Sequence, residues 1–97
     1  MVPVKRVEII TCSVEIDSIL KAIHVSGATG YTEVRDVAGS GERGLRDGAD
    51  LSDAFRNTMI VTACTAEQAT VLIDKIRPIL KRRGGMCLVS DAQWIIH

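Results

Sequence analysis

A glycine-rich stretch, Gly39–Gly48, lies near the middle of the chain and contains four of its eight glycines. It belongs to a segment from about residue 38 to residue 57 that shows little apolar patterning. A compact domain seldom keeps so long a loop unless the loop binds something or is disordered. Glycine lets backbone N–H groups approach an anion, and arginine binds phosphate or carboxylate with paired donors. Arg43 and Arg46 therefore predict an anion-binding loop on a scaffold formed by the rest of the chain.

The composition predicts a single domain, residues 1–97, with an aliphatic core. Hydrophobic residues make up 46% of the chain, and its aromatic residues are one Trp, one Tyr and one Phe. Twelve basic and twelve acidic residues give zero net charge, whereas nucleic-acid binding requires an excess of positive charge. We therefore expect no nucleic-acid partner. A near-neutral surface is compatible with oligomerisation.

The cysteines Cys12, Cys64 and Cys87 include no C-x-x-C pair, so we expect reduced, buried thiols and a cytoplasmic location. A metal site built from all three would require three strand ends to converge. The sequence shows no apolar run of about 18 residues and no signal peptide at its start, so no membrane insertion is predicted.

The first half of the chain is predicted to form a strand, a helix and a second strand. β-Branched residues predict the first strand over Val4–Cys12. Ser13 is the expected N-cap of the helix, and Gly27 is its expected C-terminal glycine. The buried face of this helix is predicted from the apolar spacing of Ile16, Ile19, Leu20 and Ile23. Tyr31–Val37 alternates as a second strand does.

The second half repeats this order. Thr58–Cys64 is rich in β-branched residues and predicts a third strand. Thr65 and Gln68 form the capping-box pattern at the start of a second amphipathic helix. Because Pro78 falls inside the helical pattern, we expect the helix to kink or end near Arg77. Its apolar positions are Ala69, Leu72, Ile73, Ile76, Ile79 and Leu80.

A short apolar strand is predicted over Met86–Ser90, followed by a tail, residues 92–97, that contains Trp94. The order β-α-β, long loop, β-α-β predicts an α+β, ferredoxin-like fold with two helices on one face of a four-stranded antiparallel sheet. Three of the strands carry apolar residues on both faces, so we expect another subunit to cover the open face of the sheet.

The glycine-rich stretch also matches G-x-G-x-x-G through Gly39, Gly41 and Gly44. A dinucleotide fingerprint of this kind would open an amphipathic helix in a parallel βαβ unit, and residues 45–53 lack that pattern. A solvated loop is the simplest interpretation of these residues. Anion binding by loop N–H groups and the two arginines is the interpretation that we favour.

A second basic cluster, Lys81–Arg83, complements the helix dipole in its simplest interpretation. Because two glycines with accessible N–H groups follow it, the cluster could also bind phosphate and meet the glycine-rich stretch across an oligomer interface. His24 and His97 have no sequence neighbours that mark a catalytic base, so we predict no catalytic residue.

With these residues in view, the chain resembles the PII signalling superfamily over nearly its whole length. The resemblance rests on the element order, on Gly27–Thr32 between the first helix and the second strand, and on Gly39–Gly41 at the start of the long loop. That loop, about residues 38–57, corresponds to the T-loop of the family. Gly41–Arg46 is most similar to the PII-like proteins of inorganic-carbon uptake, namely the bicarbonate-transporter regulators and the carboxysome-associated proteins.

The resemblance implies a non-enzymatic homotrimer with an adenine nucleotide, ADP or AMP, in each cleft between subunits. The nucleoside side would be lined by Thr29, Gly30, Tyr31, Thr62 and Ala63. The phosphate side would be formed by Gly39, Ser40, Gly41, Arg43, Arg46, Arg82 and Arg83. Ligand binding would order the T-loop, which then docks on or leaves a target such as a bicarbonate transporter or a carboxysome component. Bicarbonate is the second ligand that the carbon-uptake relatives imply.

Of two departures from classical members, the first favours AMP, ADP or cyclic AMP over Mg-ATP and the second argues against covalent modification. Arg83–Gly85 leads almost directly into the fourth strand, where classical members have a longer glycine-rich loop around a triphosphate. The predicted T-loop contains no tyrosine, so covalent uridylylation is not expected.

Three other functions stay open at this stage. A metal-binding trimer like the divalent-cation tolerance proteins would use the cysteines or His24. A small enzyme acting on a phosphorylated substrate would turn over nucleotide within hours. A pure interaction module would bind neither metal nor nucleotide.

Overall fold

The computed structural model, which describes residues 1–41, 44–46 and 56–97, has two helices on one face of a four-stranded antiparallel sheet. The helices are α1 (Ile16–Ser26) and α2 (Ala66–Arg83). The strands are β1 (Val2–Cys12), β2 (Thr32–Arg35), β3 (Gly39–Gly41), β4 (Gly44–Arg46), β5 (Asn57–Cys64) and β6 (Met86–Trp94). The sheet has the order β2-β5-β1-β6, which confirms the predicted ferredoxin-like fold.

The core lies between the helices and one face of the sheet. Alternation along β1 buries Val7, Ile9 and Thr11 on that face. In the strand register Ile9 lies opposite Ile60 of β5 and Cys87 of β6, so the centre of the sheet is aliphatic, as predicted.

The start of α1 differs from the prediction. Ser13 does not cap the helix, because residues Ser13–Glu15 form one turn of 3-10 helix before α1 begins. The hydroxyl of Ser13 instead lies 2.7 Å from that of Thr58. The predicted apolar face of α1 is confirmed, and Gly27 ends the helix with a positive φ of 89°.

The capping box at the start of α2 is confirmed in both halves. The Gln68 N–H donates to the hydroxyl of Thr65 at 3.1 Å, and the Thr65 N–H donates to the side chain of Gln68 at 3.0 Å. Of the two outcomes expected near Arg77, a kink or an end, the end is wrong, since the helix continues through Pro78 to Arg83. A proline removes one helical N–H, and the burial of Ile79 on the core side offsets that loss.

The last strand is also longer than predicted. Residues 92–94 belong to β6 rather than to a tail, because β1 begins early enough to pair with them: Val4 lies opposite Ala92 and Val2 opposite Trp94. The side chain of Trp94 is exposed. Neither described helix combines the length and apolar character that crossing a bilayer requires.

The predicted T-loop contains a two-stranded ribbon that the sequence did not indicate. β3 pairs with β4, so that Gly39 lies opposite Arg46 and Gly41 opposite Gly44. Residues 42–43, which include Arg43, and residues 47–55 lie outside the described part of the chain.

The face of the sheet turned away from the helices is largely apolar. Its exposed hydrophobic side chains are Val2, Val34, Met86, Leu88 and Trp94. In the strand register it also carries Ile10, Met59 and Val61, which are half-buried. An Arg6–Glu8 ion pair of 2.7 Å lies among them. An apolar surface of this extent is typical of an interface between chains.

Candidate functional site

The residues predicted to bind a ligand fall into two groups. We call the first the Tyr31 group, and it comprises Thr29, Gly30, Tyr31, Thr62 and Ala63. We call the second the Arg83 group, and its described members are Gly39, Ser40, Gly41, Arg46, Arg82 and Arg83. Arg43, predicted with the second group, lies outside the described residues.

The two groups lie at different levels along the strands. Thr62 of the Tyr31 group lies opposite Val7 of β1. Gly84, directly after the Arg83 group, is bonded to Thr11 of the same strand. Four residues of strand separate these levels, which corresponds to about 13 Å. The chain enters the predicted T-loop near the Thr11 level as well, because Val37 bonds to Asn57, which lies opposite Cys12.

The Tyr31 group is built on one partly buried hydrogen bond. The hydroxyl of Thr62, on the helix side of β5, donates to the carbonyl of Gly30 at 2.5 Å. This contact holds the segment before β2 against the sheet while Thr29 and Gly30 stay exposed and Tyr31 is 51% exposed. An exposed aromatic ring on a fixed backbone suits stacking against a planar ligand.

Gln68 fixes the start of this segment, a role that the sequence analysis missed. Its side-chain nitrogen donates to the carbonyl of Gly27 at 3.0 Å, so the end of α1 is tied to the start of α2. The capping box, predicted from the sequence, uses the side-chain oxygen of Gln68 as an acceptor, so the side-chain NH2 group is left to donate to Gly27.

The base of the predicted T-loop is closed by main-chain hydrogen bonds. The Val37 N–H donates to the carbonyl of Asn57 at 3.1 Å, and the Ser13 N–H donates to that of Arg56 at 2.8 Å. Asp36 has a positive φ of 58° and lies 3.8 Å from the guanidinium of Arg56. Both strands of the loop therefore leave the sheet from a defined position.

Arg82 and Arg83 share a buried partner, Glu15. The Nε of Arg83 donates to the Glu15 carboxylate at 2.7 Å, and a terminal nitrogen of Arg82 lies 3.3 and 3.4 Å from its two oxygens. The Arg83 hydrogen bond lowers the pKa of Glu15 and, with a smaller contribution from Arg82, outweighs the opposing effect of burial. The same hydrogen bond raises the pKa of Arg83. The two arginines were predicted from the sequence, whereas Glu15 was not.

The two glycines after the arginines pack tightly on β1. The buried hydroxyl of Thr11 donates to the carbonyl of Gly84 at 2.9 Å. Gly85 has a φ of 110°, and a Cβ placed there would lie 2.2 Å from the carbonyl oxygen of Ile10. Only glycine fits at position 85. The turn therefore packs closely on β1 and holds the end of α2, with its arginines, near this strand.

The three cysteines are separated by the register. Cys12 lies opposite Asn57, Cys64 opposite Lys5, and Cys87 opposite Ile9, so the thiols sit at three levels of the sheet. Burial raises the pKa of Cys64 and Cys87, which disfavours the thiolate form that binds metals. Among the described residues no three side chains of the metal-ligating types come together.

Comparison with known proteins gives the family of this fold. The family model described as "Nitrogen regulatory protein P-II" matches residues 4–96, and no curated protein matches the chain. CPII from Thiomonas intermedia K12, a PII-like protein solved with ADP, AMP and bicarbonate, superposes with a TM-score of 0.88 at 26% identity, over 95% of this chain and 88% of that chain. A CPII structure with ADP and bicarbonate gives a TM-score of 0.84 at 28% identity, over the same 95% and 88%. A PII-like protein from Thermus thermophilus, at 22% identity, shares the fold with a TM-score of 0.79 over 97% and 91% of the two chains.

Proposed function

The chain belongs to the nitrogen regulatory P-II family, and on that premise we propose that it is a regulatory sensor of adenine nucleotides. ADP or AMP binds in clefts between the subunits of a homotrimer. The observation that carries this proposal is the separation of the Tyr31 group from the Arg83 group within one chain. Proteins of this family are trimers that act on target proteins.

The separation favours a site shared by two subunits. The Tyr31 group offers an exposed ring at the β2 edge of the sheet, and the Arg83 group offers guanidinium groups about 13 Å further along the strands. In a cyclic trimer, each subunit presents two different surfaces to its two neighbours. The Tyr31 group of one subunit then meets the Arg83 group of the next and completes one cleft.

The apolar face of the sheet supports the trimer. It exposes Val34, Met86 and Leu88 together, and burying the remaining exposed half of each against other subunits stabilises the assembly by roughly 1 kcal/mol per side chain. This is the face that the sequence analysis expected another subunit to cover.

Within the cleft, the Tyr31 group contacts the nucleoside, and the Arg83 group together with Arg43 contacts the phosphates. The short turn from Arg83 to Gly85 suits one or two phosphates, so ADP, AMP or cyclic AMP is preferred to Mg-ATP. The role proposed for this site is binding and not catalysis, in keeping with the family.

Bicarbonate is the proposed second ligand, and inorganic-carbon metabolism the proposed setting. The CPII structures at 26% and 28% identity contain a nucleotide together with bicarbonate. Ligand binding orders the T-loop, residues 38–57, which then controls a cytoplasmic or membrane-attached target such as a carboxysome component or a bicarbonate transporter.

A mixed-subunit experiment tests the shared cleft. Tyr31→Ala and Arg46→Ala each damage one half, and the loss of a charge-assisted hydrogen bond in the arginine variant weakens ADP binding about 10- to 100-fold. After the two variants are refolded together, about one cleft in four combines two intact halves. Calorimetry of the mixture should then show tight ADP binding at that fraction of sites. Arg77→Ala, at an exposed position on α2, is the control for Arg46→Ala and should by itself bind ADP with normal affinity. No recovery in the mixture would place both halves in one chain.

A further inference from the structure

Glu15 is a buried carboxylate in contact with two solvent-accessible arginines. Glu15 is 7% exposed, whereas the side chains of Arg82 and Arg83 are 56% and 47% exposed. A dissolved anion can therefore reach the guanidinium groups, but it meets them already bonded to a negative charge of the chain itself. This charge lies inside the phosphate half of the proposed cleft.

We propose that Glu15 determines ligand specificity by competing with the phosphate groups of the ligand for Arg82 and Arg83. The inference rests on the proposed function, which places phosphate at these arginines. Carboxylate and phosphate are bound by the same paired N–H donors, so a donor bonded to Glu15 is withheld from the ligand. Two anions on one pair of cations also repel each other, and the repulsion grows with the charge of the ligand.

The two contacts of Glu15 differ in strength. The 2.7 Å hydrogen bond from Arg83 has the length of a strong charge-assisted bond, whereas the Arg82 contacts of 3.3 and 3.4 Å are longer than such bonds usually are. Of the two arginines, Arg82 therefore releases Glu15 at lower cost, and Arg83 stays bonded to it. With Arg83 held in this way, Glu15 reduces the positive charge of the cleft and disfavours highly charged nucleotides.

Titration of ligands that differ in charge tests this role. Adenosine, AMP, ADP and ATP are titrated calorimetrically into the wild type, Glu15→Gln and Asp74→Asn. Glu15→Gln keeps the size and an acceptor oxygen but removes the charge, while Asp74→Asn removes a charge from an exposed position on α2. We expect Glu15→Gln to bind adenosine as the wild type does, with a gain in affinity of about fivefold for each added phosphate charge. Asp74→Asn should leave the order of affinities unchanged.

Other results would overturn the inference. An equal gain for all four ligands, no gain, or a loss of ADP affinity would show that Glu15 does not compete with phosphate, and the loss would identify it as a positioning residue. A wild type that binds none of the four ligands would overturn the proposed function and the inference with it.

A measurement on the wild type covers the case in which Glu15→Gln does not fold. The side-chain ¹⁵N–¹H resonances of Arg82, assigned with Arg82→Lys, should shift on addition of ADP and stay in place on addition of adenosine. An Arg82 signal that ADP leaves unchanged would contradict the competition.

Discussion

The hydroxyl of Thr11 donates a buried hydrogen bond of 2.9 Å to the carbonyl of Gly84, 73 residues further along the chain. This bond attaches the turn after α2 to β1, one of the two central strands of the sheet. Glu15 holds Arg82 and Arg83 from the other side, so the end of α2 is fixed at two places. The proposed phosphate half of the cleft is therefore defined by contacts with β1 and with the turn before α1.

The first prediction concerns the turn itself. Gly85→Ala should destabilise the protein by about 2 kcal/mol or more, because φ is positive and the added Cβ meets the backbone carbonyl of Ile10. Urea unfolding measures the change. Gly30→Ala is the matched control, since a Cβ at Gly30 has no heavy atom within 4 Å. Equal stability of the two variants would contradict the tight packing of Gly85.

The second prediction concerns the Tyr31 group. Thr62→Val keeps the shape of the side chain but removes its hydrogen bond to Gly30, so the free energy of unfolding should fall by about 1 kcal/mol. ADP affinity should fall as well, because Tyr31 follows directly after Gly30. Thr70→Val removes a hydroxyl that bonds to the carbonyl of Ala66 on the exposed side of α2, and this control should change neither quantity markedly. Unchanged ADP affinity in Thr62→Val would show that this segment does not contribute to ligand binding.

The third prediction concerns pH. Because Arg83 and Arg82 lower the pKa of Glu15, this residue contributes stability that is present above its unfolded pKa and is lost as the pH falls through its folded pKa. The wild type should therefore lose stability more steeply than Glu15→Gln between about pH 5 and pH 2. Urea unfolding across that range tests the difference, with Glu67→Gln as a control at an exposed glutamate. If the free energy of unfolding of the wild type and of Glu15→Gln falls in parallel with pH, the predicted contribution of Glu15 is contradicted.

The fourth prediction concerns the open face of the sheet. Leu88, which is 52% exposed and lies opposite Glu8, should become buried in the trimer. Leu88→Glu places a second negative charge beside Glu8, so sedimentation velocity should show monomers with a native circular-dichroism spectrum. Val71→Glu alters a side chain that is 41% exposed on α2 and should leave the trimer intact. If the Leu88→Glu variant remains a trimer, the interface between subunits lies elsewhere.

Much of the fold could be predicted because its signals are local. The apolar spacing of α1, the terminal glycine Gly27 and the capping box of Thr65 and Gln68 each depend on residues within a few positions of one another. The strand order followed from the repeated β-α-β pattern and the handedness of its connections.

Several of the errors and omissions involve distant partners. Ser13 does not cap α1, because its hydroxyl meets Thr58, 45 residues away. β6 extends to Trp94 because β1 pairs with it, which is not visible in the local sequence. The contact of Glu15 with Arg83 spans 68 residues, so the arginines could be identified as a basic cluster but not the carboxylate that holds them.

The most direct test of the proposed nucleotide site is a calorimetric titration of the wild-type protein with ADP, in the presence and absence of bicarbonate. We expect saturable binding at one site per subunit of a trimer, with an affinity that bicarbonate changes through coupling of the two ligands. Absence of ADP binding under both conditions would contradict it, and would remove the basis for assigning Tyr31, Arg46 and Arg83 to a nucleotide cleft.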